Sequence, residues 1–129
     1  MGQNTIAKTI LLIEDDAQLR KLFRKKMEGR GYEITEASNG KEGIDRYREK
    51  PSDLVITDIV MPEKEGLETI AELRKIAPDV RIIAISGGGR IKPESYLETA
   101  SHLGADRIFS KPLEWPEMYE AIEALLKES

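Results

Sequence analysis

The sequence contains no cysteine. This absence excludes disulfide bonds and thiolate chemistry, and it fits a reducing compartment. Histidine is almost absent as well, because His102 is the only one in the chain. His102 lies on the polar part of a helical pattern, which favours a surface position over metal binding. Neither residue type therefore points to a functional site.

The sequence also lacks a long apolar run. No segment approaches the roughly 20 apolar residues that a bilayer-spanning helix needs. The start, MGQNTIAKTILLIEDD, does not match a secretory signal peptide, because its apolar run is short and ends in acids. It also fails the myristoylation pattern, since Ile6 stands where Ser or Thr is required. We therefore expect a soluble cytoplasmic protein with no membrane partner.

Positive charge is not in excess. The chain carries 20 Lys and Arg against 24 Asp and Glu, so its formal net charge is -4. This gives no electrostatic footprint for binding nucleic acid. Its 129 residues are close to the commonest size of one domain, and 40% of them are hydrophobic, enough for one core. We predict a single domain over residues 1–129, with a loose N-terminus over residues 1–8.

Five short apolar runs alternate with helical patterns along the chain. The predicted strands are residues 10–13, 32–35, 54–56, 80–85 and 107–109. Each is followed by an apolar face at helical spacing, such as Leu19, Leu22, Phe23 and Met27 after the first. This alternation favours a parallel sheet with helices on both faces. We predict an α/β fold, a flavodoxin-like (βα)5 doubly wound sheet of order 2-1-3-4-5.

Local signals indicate where helices start and stop. Asn39 with Glu42 three residues later has the pattern of a capping box before the second helix. Pro93 suits the first turn of the fourth helix, and Gly104 suits its C-terminal cap. The three glycines at 87–89 follow the fourth strand. They are interpreted as a mobile loop in preference to an anion-binding loop, because a lone glycine run is a weak motif.

Polar side chains stand where four of the five predicted strands end. Glu14 and Asp15 follow the first strand, Asp58 the third, Ser86 the fourth and Lys111 the fifth. The carboxyl ends of parallel strands open on one edge of the sheet, where ligand sites gather. Three crowded carboxylates repel one another, and a divalent cation relieves that repulsion. Ligands that are all oxygen favour Mg²⁺.

This set of side chains suits transfer of a phosphoryl group to an aspartate. The carboxylate of Asp58 attacks phosphorus, while the metal and Lys111 neutralise charge on the equatorial oxygens. The hydroxyl of Ser86 can donate a hydrogen bond to the product, and aspartyl phosphates are established covalent intermediates. Taken alone, Asp58 also fits an acid that caps a loop. Asp16 is favoured as an acid at a helix N-terminus over a metal ligand.

Four segments together resemble a known family. ILLIEDD with an arginine soon after, DLVITDIVMP with Gly66, IIAISG and SKP are similar to the receiver domains of bacterial two-component response regulators, of the CheY-like kind. The resemblance covers about residues 8–126. It implies a phosphorylation switch rather than an enzyme. The implied partners are a sensor histidine kinase or phosphotransfer protein and an unknown downstream protein target, and the implied state is a monomer or a weak phosphorylation-dependent dimer.

The resemblance also implies a role for each residue of the metal site. Asp15 is the main metal carboxylate and Glu14 is the second acidic position, with Mg²⁺ as the metal. The backbone carbonyl of Val60 is the third protein ligand beside Asp58. One departure is visible, because Glu14 stands where the family more usually has Asp. The metal is then held through a longer side chain.

The same resemblance implies how the switch works. Asp58 is the phosphoacceptor, Ser86 is the hydroxyl that follows the phosphoryl group, and Lys111 pairs with it next to a cis peptide bond. Ile108 stands where many relatives have an aromatic switch residue, and it lacks both a ring and a hydroxyl. We therefore predict that the response is carried mainly by residues 86–97.

Two other functions compete with the switch as interpretations of these residues. A phosphatase with an aspartate nucleophile, of the haloacid-dehalogenase type, needs a second acid two residues after the nucleophile, where this chain has Val60. A binding module that has lost phosphorylation has no need to keep Glu14, Ser86 and Lys111. Both alternatives are therefore disfavoured.

Overall fold

The computed structural model describes residues 7–59, 65–86, 102 and 104–127. Its centre is a five-stranded parallel sheet of order β2-β1-β3-β4-β5. The strands are β1 (Thr9–Ile13), β2 (Glu33–Ala37), β3 (Leu54–Asp58), β4 (Arg81–Ser86) and β5 (Arg107–Ser110). The predicted flavodoxin-like order 2-1-3-4-5 is therefore confirmed.

Helices connect or follow the strands. They are α1 (Ala17–Glu28), α2 (Gly40–Glu49), α3 (Glu65–Ile76) and a C-terminal helix (Trp115–Lys127). The predicted fourth helix, with Pro93 and the apolar positions Leu97, Ala100 and Leu103, lies outside the described residues. Within the described part of the chain, no helix combines the length and the apolar character that a membrane crossing requires.

The helix starts follow the predicted capping chemistry. Asp16 is the N-cap of α1, and its carboxylate accepts hydrogen bonds from the N–H groups of Gln18 and Leu19 at 2.9 and 3.2 Å. Asn39 caps α2 and accepts from the Glu42 N–H at 2.8 Å. The Glu42 carboxylate differs from a standard capping box, because it reaches back to the N–H of Ser38 at 2.7 Å.

Apolar side chains fill both faces of the sheet. One face packs on α2 and α3, and it buries Leu11, Ile13, Val55, Ile82, Ile44, Ile70 and Leu73. The other face packs on α1 and the C-terminal helix, and it buries Ile10, Leu12, Ile56, Ile85, Phe23, Met118 and Ile122. The strands β1 and β3 are covered on both faces, which explains their continuous apolar runs.

The predicted apolar face of α1 is wrong at one position. Phe23 and Met27 are fully buried, whereas Leu22 is 42% exposed. One residue along a helix turns the side chain by about 100°, so Leu22 points away from the sheet that Phe23 contacts. The buried side of α1 is therefore the row of Leu19, Phe23 and Met27, spaced four residues apart.

Two strands end two residues later than the sequence predicts. β3 continues through Thr57 to Asp58, because pairing with β4 extends to Asp58 opposite Ile85. β2 continues to Ala37, which pairs with Ile13. Asp58 is thus the last residue of a central strand, held by the sheet itself. This places the acid at the edge where β1, β4 and β5 also end.

Candidate functional site

Three carboxylates meet at the carboxyl edge of the sheet. Glu14, Asp15 and Asp58 each offer an oxygen, and these oxygens all lie within 4.8 Å of one another. Glu14 is 1% and Asp58 3% exposed, whereas Asp15 is exposed. The predicted convergence of β1 and β3 is therefore observed. Two of the acids are buried, and the third lies at the opening to solvent.

Lys111 contacts the buried acids from the end of β5. Its ammonium group donates a hydrogen bond of 2.9 Å to Asp58 Oδ2 and lies 3.6 Å from Glu14 Oε1. Its backbone N–H donates to the carbonyl of Ser86 at 2.9 Å, which ties β5 to the end of β4. The peptide bond between Lys111 and Pro112 is cis, as the resemblance implies. Lys111 is thus a part of the site and not an ordinary surface lysine.

The environment shifts the pKa of two of these groups. Burial raises the pKa of Glu14 to about 7, the hydrogen bond from the Asp16 N–H at 3.1 Å opposes this rise, and the charge of Asp58 adds to it. Burial lowers the pKa of Lys111, but its hydrogen bond to Asp58 and the charges of Asp58 and Glu14 outweigh burial and raise it. The cluster therefore favours added positive charge.

Ser86 contributes a buried hydroxyl at the end of β4. The residue is 1% exposed, and among the described residues its Oγ has no hydrogen-bond partner. Leaving a buried hydroxyl unpaired costs about 1–3 kcal/mol. Ser86 is the last residue of β4 and directly follows Ile85, which pairs with Asp58. A free hydroxyl is thus available beside the strand end that carries the acid.

Gly66 lets α3 approach the same strand end. A Cβ at this position would lie 2.3 Å from the Asp58 carbonyl oxygen and 2.4 Å from the Ile59 Cα. Only a residue without a side chain allows that approach. The intervening residues 60–64, including the predicted ligand Val60, lie outside the described residues. Glycines 87–89 lie outside them as well.

The contribution of Arg20 was not predicted from the sequence. Its Nη1 donates a hydrogen bond of 2.7 Å to the backbone carbonyl of Glu14, and its Nε donates to Glu36 at 3.1 Å. The only signal in the sequence is an arginine in the first turns of the helix that follows the acids. Asp16, in contrast, lies at the N-terminus of α1 as predicted, where the structure shows it to be the N-cap.

Comparison with known proteins gives one family. The sequence model of the response regulator receiver domain family matches residues 10–123 of this chain. The response regulator receiver protein CpdR of Brucella abortus is 36% identical over 120 residues, which cover 92% of this chain and 97% of that protein. The chemotaxis protein CheY of Thermotoga maritima is 32% identical over 123 residues, covering 95% of this chain and all of that protein.

Solved structures agree in fold. A CheY-like receiver domain of Methanospirillum hungatei superposes with a TM-score of 0.87 at 26% identity, over 95% of this chain and 96% of that one. The chain is also similar to part of a longer protein, the transcriptional regulatory protein GlrR of Escherichia coli. That match is 32% identical over 120 residues and covers 26% of GlrR.

Proposed function

The chain belongs to the response regulator receiver domain family, and on that premise we propose how its residues carry out the phosphorylation switch. The family acts as a switch and not as an enzyme with its own turnover. We propose that Asp58 accepts the phosphoryl group. The contact that carries this proposal is the 2.9 Å hydrogen bond between Lys111 and the buried Asp58 carboxylate.

The reaction follows from the positions of these groups. A carboxylate oxygen of Asp58 attacks phosphorus, a new P–O bond forms, and the bond between phosphorus and the donor breaks. The ammonium group of Lys111 then bonds the phosphoryl oxygens in place of the carboxylate. Ser86 donates a hydrogen bond to the same group from its hydroxyl, which has no partner in the part of the chain that the structure describes. Each residue supplies a hydrogen bond where negative charge accumulates.

The donor set fits Mg²⁺. The oxygens of Glu14, Asp15 and Asp58 converge within 4.8 Å, and hard oxygen ligands suit this ion. When bound, Mg²⁺ neutralises the charge on the phosphoryl oxygens. Asp15 is proposed as the main ligand because it is the exposed acid, with Glu14 contributing less directly, for example through water. The Val60 carbonyl remains a predicted ligand.

The partners are proposed from the family to which the chain belongs. A histidine kinase or phosphotransfer protein supplies the phosphoryl group, and a protein target reads the changed surface. The names of the relatives indicate different roles, chemotaxis for one and transcriptional regulation for another, so neither role is transferred to this chain. A cytoplasmic location and a monomer or weak phosphorylation-dependent dimer remain part of the proposal.

Mass spectrometry after incubation with acetyl phosphate and Mg²⁺ tests the proposal. The wild type should gain one phosphoryl group, and Asp58→Asn should gain none. Asp53→Asn is the matched control, because Asp53 lies just before the start of β3, at the opposite end of the strand from Asp58. Its carboxylate accepts a hydrogen bond of 2.8 Å from the Thr9 N–H. It should label like the wild type. Labelling of Asp58→Asn at the wild-type level would contradict the assignment.

A further inference from the structure

Arg20 connects the acidic pair to a neighbouring strand. The arginine is on α1. Its guanidinium donates a hydrogen bond of 2.7 Å to the Glu14 carbonyl and another of 3.1 Å to the Glu36 carboxylate of β2. The side chains of Arg20 and Glu36 are partly buried, with exposed fractions of 20% and 26%. Glu36 also accepts a hydrogen bond from Arg24. Charge-assisted bonds of this kind are stronger and more directional than neutral ones.

The bond from Arg20 falls on the peptide unit that joins the two acids. The Glu14 carbonyl belongs to the same planar peptide unit as the Asp15 N–H. The orientation of this carbonyl therefore also sets the orientation of the backbone that continues into Asp15. On its other side, the Glu14 N–H donates to Ala37 of β2 at 3.0 Å. The backbone at Glu14 is therefore held at both its N–H and its C=O.

We propose that Arg20 is a positioning residue for the metal site, fixing the peptide unit between Glu14 and Asp15 so that both carboxylates face the cation. This inference rests on the proposed Mg²⁺ site, on which Arg20 acts through the backbone carbonyl of Glu14. Arg20 touches no ligand atom and is not catalytic. Loss of a group that orients metal ligands typically weakens metal binding by about 10–100-fold.

Arg24 offers a matched control. It bonds the same Glu36, it carries the same charge, and it lies one turn further along α1, but it makes no bond to Glu14. Arg20→Met and Arg24→Met each remove one positive charge and one ion pair to Glu36. Only Arg20→Met releases the Glu14 carbonyl. The difference between the two variants therefore isolates the positioning role from the packing of α1 on β2.

Calorimetric titration with Mg²⁺ is the test, with urea unfolding in EDTA as the structural readout. Arg20→Met should bind Mg²⁺ about 10-fold more weakly than the wild type. Arg24→Met should bind like the wild type, and both should unfold at similar urea concentrations. Removing a positive charge beside a cation site would by itself strengthen binding. A loss of affinity in Arg20→Met therefore cannot come from charge alone.

A conservative variant covers the case in which Arg20→Met does not fold. Arg20→Lys keeps the charge, but one ammonium group cannot bridge Glu14 and Glu36 in the arginine geometry. The Mg²⁺ affinity of Arg20→Lys should lie between those of the wild type and Arg20→Met. If Arg20→Met does not fold, the affinity of Arg20→Lys should still be lower than that of the wild type. Wild-type affinity in both Arg20 variants, or equal losses in the Arg20 and Arg24 variants, would overturn the proposal.

The proposed metal site has its own control in the same experiment. Asp15→Asn should lose more affinity than Arg20→Met, because it removes a ligand. If the wild type itself does not bind Mg²⁺, the metal site is wrong and the inference is overturned with it. If Asp15→Asn binds Mg²⁺ more weakly than the wild type but Arg20→Met binds it equally well, the metal site stands and only the role of Arg20 is rejected.

Discussion

Lys111 donates a hydrogen bond of 2.9 Å to Asp58, so its ammonium group lies beside the carboxylate that we propose as phosphoacceptor. The same ammonium group is 3.6 Å from Glu14. One cation thus neutralises part of the charge of two buried acids. A phosphoryl group on Asp58 would give Lys111 a new acceptor at this position. The lysine therefore links the chemistry of Asp58 to the end of β5.

This link predicts the behaviour of Lys111→Ala. The variant should bind Mg²⁺ at least as tightly as the wild type, because a positive charge beside the cation site is removed. Its response to beryllofluoride, a mimic of the phosphoryl group, should be lost at β5 in NMR spectra. Lys75→Ala removes an exposed lysine of α3 and should respond normally. A normal response of Lys111→Ala would remove this residue from the mechanism.

The raised pKa of Glu14 predicts how stability depends on pH without metal. Burial raises this pKa to about 7, so the folded chain binds the proton more tightly than the unfolded chain. The contribution of Glu14 is fully present below its ordinary value of 4.5 and is lost as pH rises through about 7. The free energy of unfolding in EDTA should therefore decline over this window because of Glu14.

Urea unfolding in EDTA between about pH 4 and 8, a range that includes both the ordinary and the raised pKa of Glu14, measures this decline. Glu14→Gln should show a flatter profile than the wild type, since a neutral amide replaces the titrating group. Asp58 and Lys111 face Glu14 and remain in both proteins, so the difference between the profiles reports Glu14 together with its interactions with these two groups. Parallel profiles would contradict the assigned shift.

Much of the fold could be predicted from local patterns. The apolar runs before Glu14 and Asp58 indicate strands covered on both faces, and Asp16 and Asn39 indicate helix starts from short-range chemistry alone. The convergence of Glu14, Asp58 and Lys111 then follows from the topology of a parallel sheet. These features depend on neighbours in sequence or on a rule that applies to every such fold.

Features that depend on specific long-range contacts could not be predicted. Arg20 reaches Glu36 of β2, and no periodicity encodes that partner. The exposure of Leu22 depends on which row of α1 faces the sheet, because Leu19, Leu22 and Phe23 fit the same helical pattern. Gly66 was recognised as part of a motif, but the reason for glycine is its contact with the Asp58 backbone.

The contact at Gly66 predicts a strong effect of a single methyl group. Gly66→Ala would place Cβ 2.3 Å from the Asp58 carbonyl oxygen, which belongs to the backbone and cannot move aside alone. Overpacking of this kind costs typically about 1–3 kcal/mol. Either α3 or the end of β3 must shift, so Mg²⁺ binding should weaken as well. Urea unfolding and Mg²⁺ titration measure the two effects.

Gly43→Ala is the matched control for Gly66→Ala. Its Cβ would also be close to neighbours, at 2.3 Å from Cδ1 and 2.7 Å from Cγ1 of Ile13, but these atoms belong to a side chain and not to the backbone. Alanine is also favoured over glycine in a helix by about 1 kcal/mol. Gly43→Ala should therefore be less destabilising than Gly66→Ala. The reverse order would show that backbone contact with Asp58 does not limit this site.

The predicted transmission of the signal begins at Ser86. Ile108 pairs with Ala84 and is half-buried, and as an isoleucine it cannot perform an aromatic swing anchored by a hydrogen bond. Phe109, the ring next to it, packs on the opposite face with Ile83 and Ile85. Residues 86–97 are predicted to carry the response. Of these, residues 87–97 lie outside the described part of the chain, so this stays a prediction. NMR shifts at residues 86–97 on adding beryllofluoride test it.

Ser86→Ala should separate stability from signalling. The Ser86 hydroxyl is buried and has no partner among the described residues, so its removal should leave the metal-free protein at least as stable as the wild type. The same hydroxyl is the proposed donor to the phosphoryl group, so beryllofluoride should no longer perturb this strand end. Ser110→Ala, at the exposed register partner in β5, should retain the response. A full response in Ser86→Ala would mean that the phosphoryl group acts through Lys111 alone.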